Sequence, residues 1–209
     1  METLPINRLS RVPSDDAQKP ERPMTQEEEF VWEKTSSVFN YWAGYFSNTA
    51  IVLFLFSRAF VSGNTTPPVL TIISVFVLGL LGWTLIEYWL HRTLYHIGET
   101  KFVIGHLMHH EAPKALLGVP YYVTAVVYIP LYYGLTFFFD PAILGIAMSA
   151  IWLGYIGYCA VHHGTHHWKF KNKLFKYYKA HHIQHHHCDN RNFGITLPLW
   201  DYVFFTKKG

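Results

Sequence analysis

Histidine is the residue type with the clearest chemical potential in this sequence. Fourteen of the 209 residues are histidines, and they are grouped in four short clusters. Neutral imidazole is a good ligand for iron, zinc, copper and nickel. Because helix positions i, i+3 and i+4 lie on one face, regularly spaced histidines can direct several nitrogens to one point. The clusters therefore predict a metal site.

The clusters supply ten candidate ligands. Two clusters have the spacing His-x-x-His-His, and a third contains an i, i+4 pair. The first cluster has a pair five residues apart, about 140° around an ideal helix, so it needs a bend or must flank the site from two sides. Ten nitrogens exceed the need of one ion and match two ions with about five each. The candidates are His91, His96, His106, His109, His110, His162, His166, His182, His185 and His186.

Four other histidines in the same clusters are weaker candidates for metal ligands, namely His163, His167, His181 and His187. The first two form an i, i+4 pair on the neighbouring face of their helix. The last two flank a triad that is complete without them, so we place all four around the site or in solvent. Cys188 lies inside the last cluster, which leaves a thiolate ligand as an alternative, whereas Cys159 sits in an apolar run.

The elements that position these histidines are predicted to be membrane helices. Half of the residues are apolar and 15% are charged, whereas soluble domains carry about a quarter charged residues. A helix needs about 20 mostly apolar residues to cross a bilayer, and four stretches have or approach that length. The predicted spans are residues 45–61, 69–90, 119–138 and 142–161. The last is rich in small residues, which suits close helix contacts in lipid.

The basic residues predict the orientation of these spans. The loops at 62–68 and 140–141 contain no lysine or arginine, and Arg58 is the one basic residue outside the N-terminal, central and C-terminal polar regions. Because cytosolic loops carry an excess of lysine and arginine, both termini and all histidines are predicted to face the cytosol. The predicted fold class is an all-α integral membrane protein with four transmembrane helices and a cytosolic, histidine-rich helical metal domain.

The chain is predicted to have two parts. Residues 1–38 form a polar cytosolic tail, with a short helix over 25–34, and residues 39–209 form the membrane domain. The metal site of that domain comes from residues 91–118 and 162–206. Basic and acidic residues number 17 and 14, so no nucleic-acid partner is expected.

The motifs resemble those of the membrane fatty acid hydroxylase and sterol desaturase superfamily, and most closely its fatty acid 2-hydroxylase branch. The stretch His91-Arg-Thr-Leu-Tyr-His96, preceded by Glu87-Tyr88, looks like the opening motif of that branch. The other three clusters and the ending at 192–204 are similar to its later motifs. The resemblance covers about residues 87–206, over half of the chain.

The resemblance implies a di-iron oxygenase that hydroxylates the acyl chain of a fatty acid, or of a lipid such as a sphingolipid, at the 2-position. It implies two irons held by the ten candidate histidines, O2 as co-substrate, and a separate electron donor, a b-type cytochrome or a ferredoxin-like protein. Zinc is an expected substitute for iron, because imidazole binds both. The expected location is the endoplasmic reticulum of a eukaryote or the inner membrane of a bacterium. Cys159 and Ala115 stand where the family often has aspartates, which leaves the exact substrate open.

Other functions remain alternatives. A carotenoid hydroxylase, or a sterol-type oxidase or desaturase, uses similar motifs on another hydrocarbon. A zinc-binding membrane protein or transporter also needs histidines, but transporters place ionisable residues at mid-membrane depth. The charged residues of these spans lie near their ends. A protein that holds metal without turnover is a further alternative, given the two missing aspartates.

Overall fold

The computed structural model describes residues 19–61 and 66–208, so half of the predicted tail and part of the 62–68 loop lie outside the described residues. A π-helical turn, Leu90–Leu94, continues the third helix. The described residues contain no β-strand, and the predicted all-α class is confirmed. The helices are α1 (Gln26–Thr35), α2 (Val38–Val61), α3 (Val69–Trp89), α4 (Lys101–Glu111), α5 (Tyr121–Leu135), α6 (Pro141–His167), α7 (Lys173–His187) and α8 (Leu199–Val203).

Three of these helices are long and apolar enough to cross a membrane. They are α2, the continuous helix Val69–Leu94 made of α3 and its π-turn, and α6. Helix α5 has 15 residues, about 22 Å at 1.5 Å per residue, which is shorter than a hydrocarbon core of about 30 Å. The count of four spans therefore stays a prediction.

Helix α6 packs against both α2 and α3 through small residues. A Cβ atom on Gly145 would lie 2.6 Å from the carbonyl oxygen of Leu55, and one on Gly154 would lie 2.5 Å from the ring of Trp83. A larger side chain at either glycine would push the helices apart. This close approach agrees with the small-residue contacts expected for the fourth span.

Helix α5 is attached to the bundle through a buried amide. The side-chain oxygen of Asn48 on α2 accepts hydrogen bonds from the Thr124 hydroxyl of α5 at 2.8 Å and from Trp152 Nε1 of α6 at 3.1 Å. A buried amide without partners costs free energy in an apolar environment. The shared oxygen therefore favours one arrangement of the three helices.

The described part of the segment before α2 has a defined structure. The Thr25 hydroxyl caps α1, which begins one residue later than the predicted 25–34 helix. The Arg22 guanidinium donates hydrogen bonds to both Glu28 oxygens, at 2.7 and 3.0 Å, and to Glu111 of α4 at 3.0 Å. This clamp holds α1 beside α4, the helix that carries three candidate ligands. The division of the chain at residue 38 stays a prediction.

Candidate metal centre

The π-helical turn brings the first two candidate ligands together. On an α-helix His91 and His96 would be separated by about 140°. A π-turn closes hydrogen bonds between residues i and i+5 and is wider; here the Tyr95 N–H donates to the Leu90 carbonyl at 3.2 Å. The ring centroids of the two histidines are 5.3 Å apart. Of the two arrangements that the five-residue spacing allowed, a bend or a flanking position on two sides, the structure has the bend, which is a π-turn.

The first histidine cluster consists of His91, His96, His106 and His185, whose ligand nitrogens all lie within 4.8 Å of one another. The Nε2 atom of His106 lies 3.0 Å from that of His96 and 3.2 Å from that of His91. The Nε2 atom of His185 lies 3.2 Å from that of His96. His110 stands at the edge of this cluster, with its Nε2 atom 3.0 Å from that of His106. Three separate parts of the chain thus meet at one point.

The second histidine cluster consists of His109, His162, His166, His182 and His186, with ligand nitrogens again within 4.8 Å. The Nε2 atoms of His162 and His109 are 2.9 Å apart, and those of His166 and His182 are 2.8 Å apart. His186 Nε2 lies 3.1 Å from His182 Nε2. Helices α4, α6 and α7 each contribute to this cluster.

The two clusters adjoin each other. His109 and His110 are consecutive residues of α4 that point to different clusters. The ring of His110 also stacks on that of His186, with centroids 4.3 Å apart. All ten candidate nitrogens therefore lie in one region at the ends of α3 and α6, which is the arrangement that a two-ion site requires.

The nitrogen spacing suits metal ions. Two imidazole nitrogens about 2.1 Å from one ion and at right angles to each other are about 3.0 Å apart. The Nε2 separations span 2.8 to 3.2 Å. A hydrogen bond needs one protonated and one bare nitrogen, and four or five nitrogens that face one point cannot all be paired in this way. The donor set has no carboxylate in either cluster and fits a transition metal better than magnesium or calcium.

Backbone carbonyls orient two of the rings. His91 Nδ1 lies 2.6 Å from the carbonyl oxygen of Phe193, and His185 Nδ1 lies 2.7 Å from that of Arg191. Because a carbonyl oxygen only accepts, each Nδ1 carries the proton and each Nε2 keeps its lone pair. These contacts are of the kind that fix the tautomer of ligating histidines in metal sites.

Burial keeps five candidate ligands that lie outside the membrane helices neutral. It is the main cause that lowers the pKa values of His106, His109 and His182 well below the ordinary range, and neighbouring histidines add to the effect. Burial also lowers the pKa of His96 to about 4 and that of His185 to about 3. A neutral ring offers a lone pair, so these side chains are ready to bind a cation at neutral pH.

Two buried carboxylates hold the C-terminal segment that supplies the carbonyl groups. Asp201 accepts hydrogen bonds from the backbone N–H groups of residues 193–194, both at 2.8 Å, and lies 3.0 Å from His181 Nε2. Glu87 of α3 accepts from the backbone N–H groups of residues 195–196, at 2.7 and 2.8 Å. Sequence reasoning gave Glu87 no such role, although the glutamate–aromatic pair before the first cluster was a signal for it.

The four histidines with weaker claims belong to neither cluster. His163 Nδ1 lies 2.9 Å from the Tyr41 hydroxyl, and its ring stacks on that of His167 at 4.2 Å. His181 contacts the carboxylate of the C-terminal segment, and His187 is exposed. Each of the four thus has a neighbour or a location that accounts for it without a metal ion.

A cavity of about 410 Å³ adjoins the histidine clusters. Its lining includes His106 of the first cluster and His109 and His162 of the second, and most of its other side chains are apolar or aromatic. This volume is within the usual range for small-molecule sites, about 300 to 1,000 Å³. Cys159 lines the cavity, whereas Cys188 belongs to neither cluster.

Comparison with known proteins gives consistent matches. The model of the fatty acid hydroxylase family matches residues 76–206. Dihydroceramide fatty acyl 2-hydroxylase FAH2 of Arabidopsis thaliana is 34% identical over 168 residues, which are 76% of this chain and 70% of that protein. Fatty acid 2-hydroxylase of Rattus norvegicus is 33% identical over 177 residues, 79% of this chain and 48% of the relative, so this chain spans about half of it.

A solved structure shares the fold. It is titled full-length scs7p with only the hydroxylase domain visible, and it superposes with a TM-score of 0.66. The match covers 84% of this chain and 68% of that one, at 24% sequence identity. At this identity the likeness supports the helical architecture alone.

Proposed function

The chain belongs to the fatty acid hydroxylase family, and we propose that it is a di-iron enzyme that uses O2 to hydroxylate an acyl chain at the 2-position. Membership makes it an oxidoreductase that hydroxylates fatty acids, and its three long apolar helices embed it in a membrane. The metal and its ligands, O2, the oxidised carbon, the electron donor and the orientation in the membrane are the proposed parts.

One observation carries this proposal, which is that two adjoining histidine clusters line one largely apolar cavity. A metal transporter needs a polar path across the bilayer, whereas this cavity is bordered by aromatic side chains of the membrane helices, such as Tyr45 and Tyr155. An apolar cavity that ends at a metal-binding group suits an acyl chain whose C–H bond must be held beside the metal.

We propose that all ten candidate histidines are iron ligands. One ion would be held by His91, His96, His106, His110 and His185, and the other by His109, His162, His166, His182 and His186. Iron supplies the redox chemistry that activates O2, which zinc cannot do because it has a single oxidation state. Zinc remains a competitor for the same imidazoles in purified protein.

The chain itself would bind the acyl group, orient it and exclude water. His106, His109 and His162 present the metal-facing end of the cavity. Insertion of one oxygen atom of O2 into a C–H bond, with the other released as water, consumes two electrons and two protons. We propose that a separate donor, a b-type cytochrome or ferredoxin-like protein, supplies the electrons.

The proposed orientation places the clusters and both termini in the cytosol, where a soluble or membrane-anchored donor can reach them. Its support is the distribution of basic residues, because the 140–141 turn has none and residues 169–179 contain five lysines. The membrane would be the endoplasmic reticulum in a eukaryote or the inner membrane in a bacterium.

The test is product analysis with isotopically labelled oxygen. Purified chain loaded with iron, given a donor, membrane lipids and 18O2, should yield a 2-hydroxy acyl lipid that carries 18O, and the zinc-loaded chain should yield none. A hydroxylated sterol or carotenoid would instead favour the corresponding alternative. Transport of metal ions into vesicles without any oxygen-dependent product would contradict the enzyme proposal.

A further inference from the structure

The cavity has an exposed mouth where α1 meets α4. We define the cavity mouth as the four exposed lining residues of these helices, Phe30, Lys34, Lys101 and Phe102. The two phenylalanines are 47% and 49% exposed, whereas the histidines at the other end of the lining are largely buried. The lining therefore passes from an exposed rim to the buried metal-binding group.

The mouth is cationic. Histidines aside, the charged side chains in the cavity lining are Lys34 and Lys101, and no aspartate or glutamate of the described residues lines it. Their ammonium groups lie near the same ring, with Nζ of Lys101 4.7 Å and Nζ of Lys34 5.8 Å from the centroid of Phe30. Two cations are thus gathered around one aromatic side chain.

Neither cation is neutralised within the described part of the chain. No carboxylate there forms an ion pair with Lys34 or Lys101. The acidic residues of α1, such as Glu28, do not line the cavity, and Glu28 is engaged by Arg22. A pair of ammonium groups at the entrance of an apolar cavity is complementary in charge to an anionic group of a bound ligand.

We propose that the cavity mouth binds the anionic head group of the acyl substrate, a carboxylate or a phosphate ester. This inference rests on the proposed function, since it presumes that the cavity holds an acyl chain. Lysine ammonium groups bind either anion as point charges. The enzyme would then select acyl lipids with a charged head group over those with an uncharged one of similar chain length.

The position of the mouth agrees with oxidation close to the head group. Lys101 precedes His106 by five residues, about 7.5 Å along the axis of α4. A head group held at the mouth therefore lies within two turns of α4 from the nearest candidate ligand. The rest of the chain extends along the lining of α2 and α6, where Asn48 and Ile156 lie.

The experiment measures equilibrium binding to the 209-residue chain in neutral detergent micelles, which contain no anionic lipid. Three radiolabelled ligands with the same chain are compared, namely palmitate, palmitoyl lysophosphatidic acid and uncharged monopalmitoylglycerol. The test variant is K34Q/K101Q, and K34R/K101R restores the charge. The matched control is K171Q/K176Q, which removes the same charge from exposed positions that do not line the cavity.

We expect K34Q/K101Q to bind palmitate or the phosphate ligand about five-fold more weakly, as for the loss of two exposed ion pairs. Binding of monopalmitoylglycerol should be unchanged, and both K34R/K101R and K171Q/K176Q should behave like the native chain. Raising the ionic strength to about 0.5 M should remove the preference for the anionic ligand. Loss of one anionic ligand and not the other identifies the head group.

Two results would overturn the inference while leaving the proposed function intact. One is equal binding of both anionic ligands by the native chain and K34Q/K101Q, which would show that the two lysines do not hold the head group. The other is an equal loss of charged and uncharged ligands, which would assign them to packing. If no acyl ligand binds to the native chain, the cavity proposal fails as well.

Discussion

At the residue scale, the proposed ligands differ from the other histidines because their Nε2 atoms converge in two groups. His109 and His185 are 7% and 0% exposed and belong to different clusters, whereas His187 is exposed and belongs to neither. Substitutions at these three positions therefore distinguish a histidine that binds metal from one that only lies on the same helix.

We predict that H109A and H185A each lose metal and fall below detectable turnover, while H187A keeps both. Removal of one ligand leaves an incomplete coordination sphere that outer residues cannot replace. Metal content is measured by mass spectrometry of the purified chain, and product formation under O2 is measured in parallel. Equal metal content and turnover in all three variants would contradict the ligand assignment, provided that their helical content is the same.

Asp201 is a positioning residue rather than a ligand. Burial opposes its ionisation, but hydrogen bonds from His181, Thr206 and the backbone at residues 193–194 outweigh burial and lower its pKa. The carboxylate is thus the form that holds the 193–194 backbone, whose Phe193 carbonyl orients His91. Its effect on the metal passes through this chain of contacts.

We predict that D201N binds metal 10- to 100-fold more weakly, the usual range for loss of an orienting partner. The introduced amide nitrogen would face hydrogen-bond donors, at a cost of about 1 to 3 kcal/mol. Competition with a chromophoric chelator gives the affinity, and D140N is the control, because Asp140 caps α6 at the end remote from the histidines. Native metal affinity in D201N would show that the C-terminal segment keeps its position without the carboxylate.

The sequence predicted ligand candidates better than it predicted their supports. The spacing of His106, His109 and His110 is a local property of one helix, so periodicity reveals it. The carbonyl groups of Phe193 and Arg191 have no signal in the sequence, because every residue has a carbonyl and its use depends on the tertiary fold. Supports of this kind become visible only in three dimensions.

At the element scale, the π-turn shows what spacing can and cannot predict. The five-residue gap between His91 and His96 predicted either a bend in the helix or a site flanked from two sides. The kind of departure depends on hydrogen bonds of the Leu90–Leu94 turn with its own backbone, which the side-chain pattern does not encode. The spacing of His91 and His96 therefore limited the possible turns, but it did not predict the π-turn.

The attachment of α1 to α4 should depend on pH. The hydrogen bond from Arg22 is the main cause that lowers the pKa of Glu28 to about 2, from an ordinary value of 4.5. Because the folded pKa is the lower one, the pair stabilises the docked helix fully above pH 4.5, and this contribution is lost as the pH falls towards 2. Both side chains are partly exposed, so the contribution is modest, about 1 kcal/mol or less.

We predict that the backbone amide hydrogens of α1 exchange several-fold faster in R22Q than in the native chain at pH 7. The difference in exchange rate between R22Q and the native chain should shrink as the pH is lowered from 5 to 3. Hydrogen exchange with mass spectrometry measures these rates, which are corrected for the intrinsic exchange rate at each pH. K19Q is the control, since Lys19 is exposed and takes no part in the clamp. A constant difference across this range would show that Arg22 does not lower the pKa of Glu28 in the docked helix.

At the scale of the whole molecule, hydropathy predicted the membrane helices, because composition over about 20 residues is a local quantity. It did not predict that α1 forms a wall of the cavity. That placement rests on the contact of Arg22 with Glu111, 89 residues away in the chain. It also rests on the Gly118 N–H, which donates to the Thr35 carbonyl at 3.0 Å. Contacts at such separation leave no periodic signal.

The number of membrane crossings can be decided by the sides on which three loops lie. Helix α5 is short for a full crossing, but it is tied to α6 through the Tyr132 hydroxyl, which donates to the Pro141 carbonyl at 3.1 Å. With four spans, the loop before α4 and the start of α7 lie on one side and the α5–α6 turn on the other. If α5 does not cross, the α5–α6 turn stays with the loop before α4, and α7 changes side.

We predict the four-span pattern for single cysteines introduced into a C159A/C188A background, at exposed Ile97, Phe139 and Lys173. A membrane-impermeant maleimide should label I97C and K173C from the cytosolic side and F139C from the opposite side. Intact cells and inverted vesicles supply the two directions, and each variant must retain the metal content of the native chain. Labelling of I97C and F139C from one side and of K173C from the other would exclude a crossing by α5. It would also place the proposed ligands in two compartments, which disagrees with their close approach in the two histidine clusters. Because the clusters bring the ends of α3 and α6 together, we expect α5 and its turn to carry the chain across the membrane, despite the shortness of the helix.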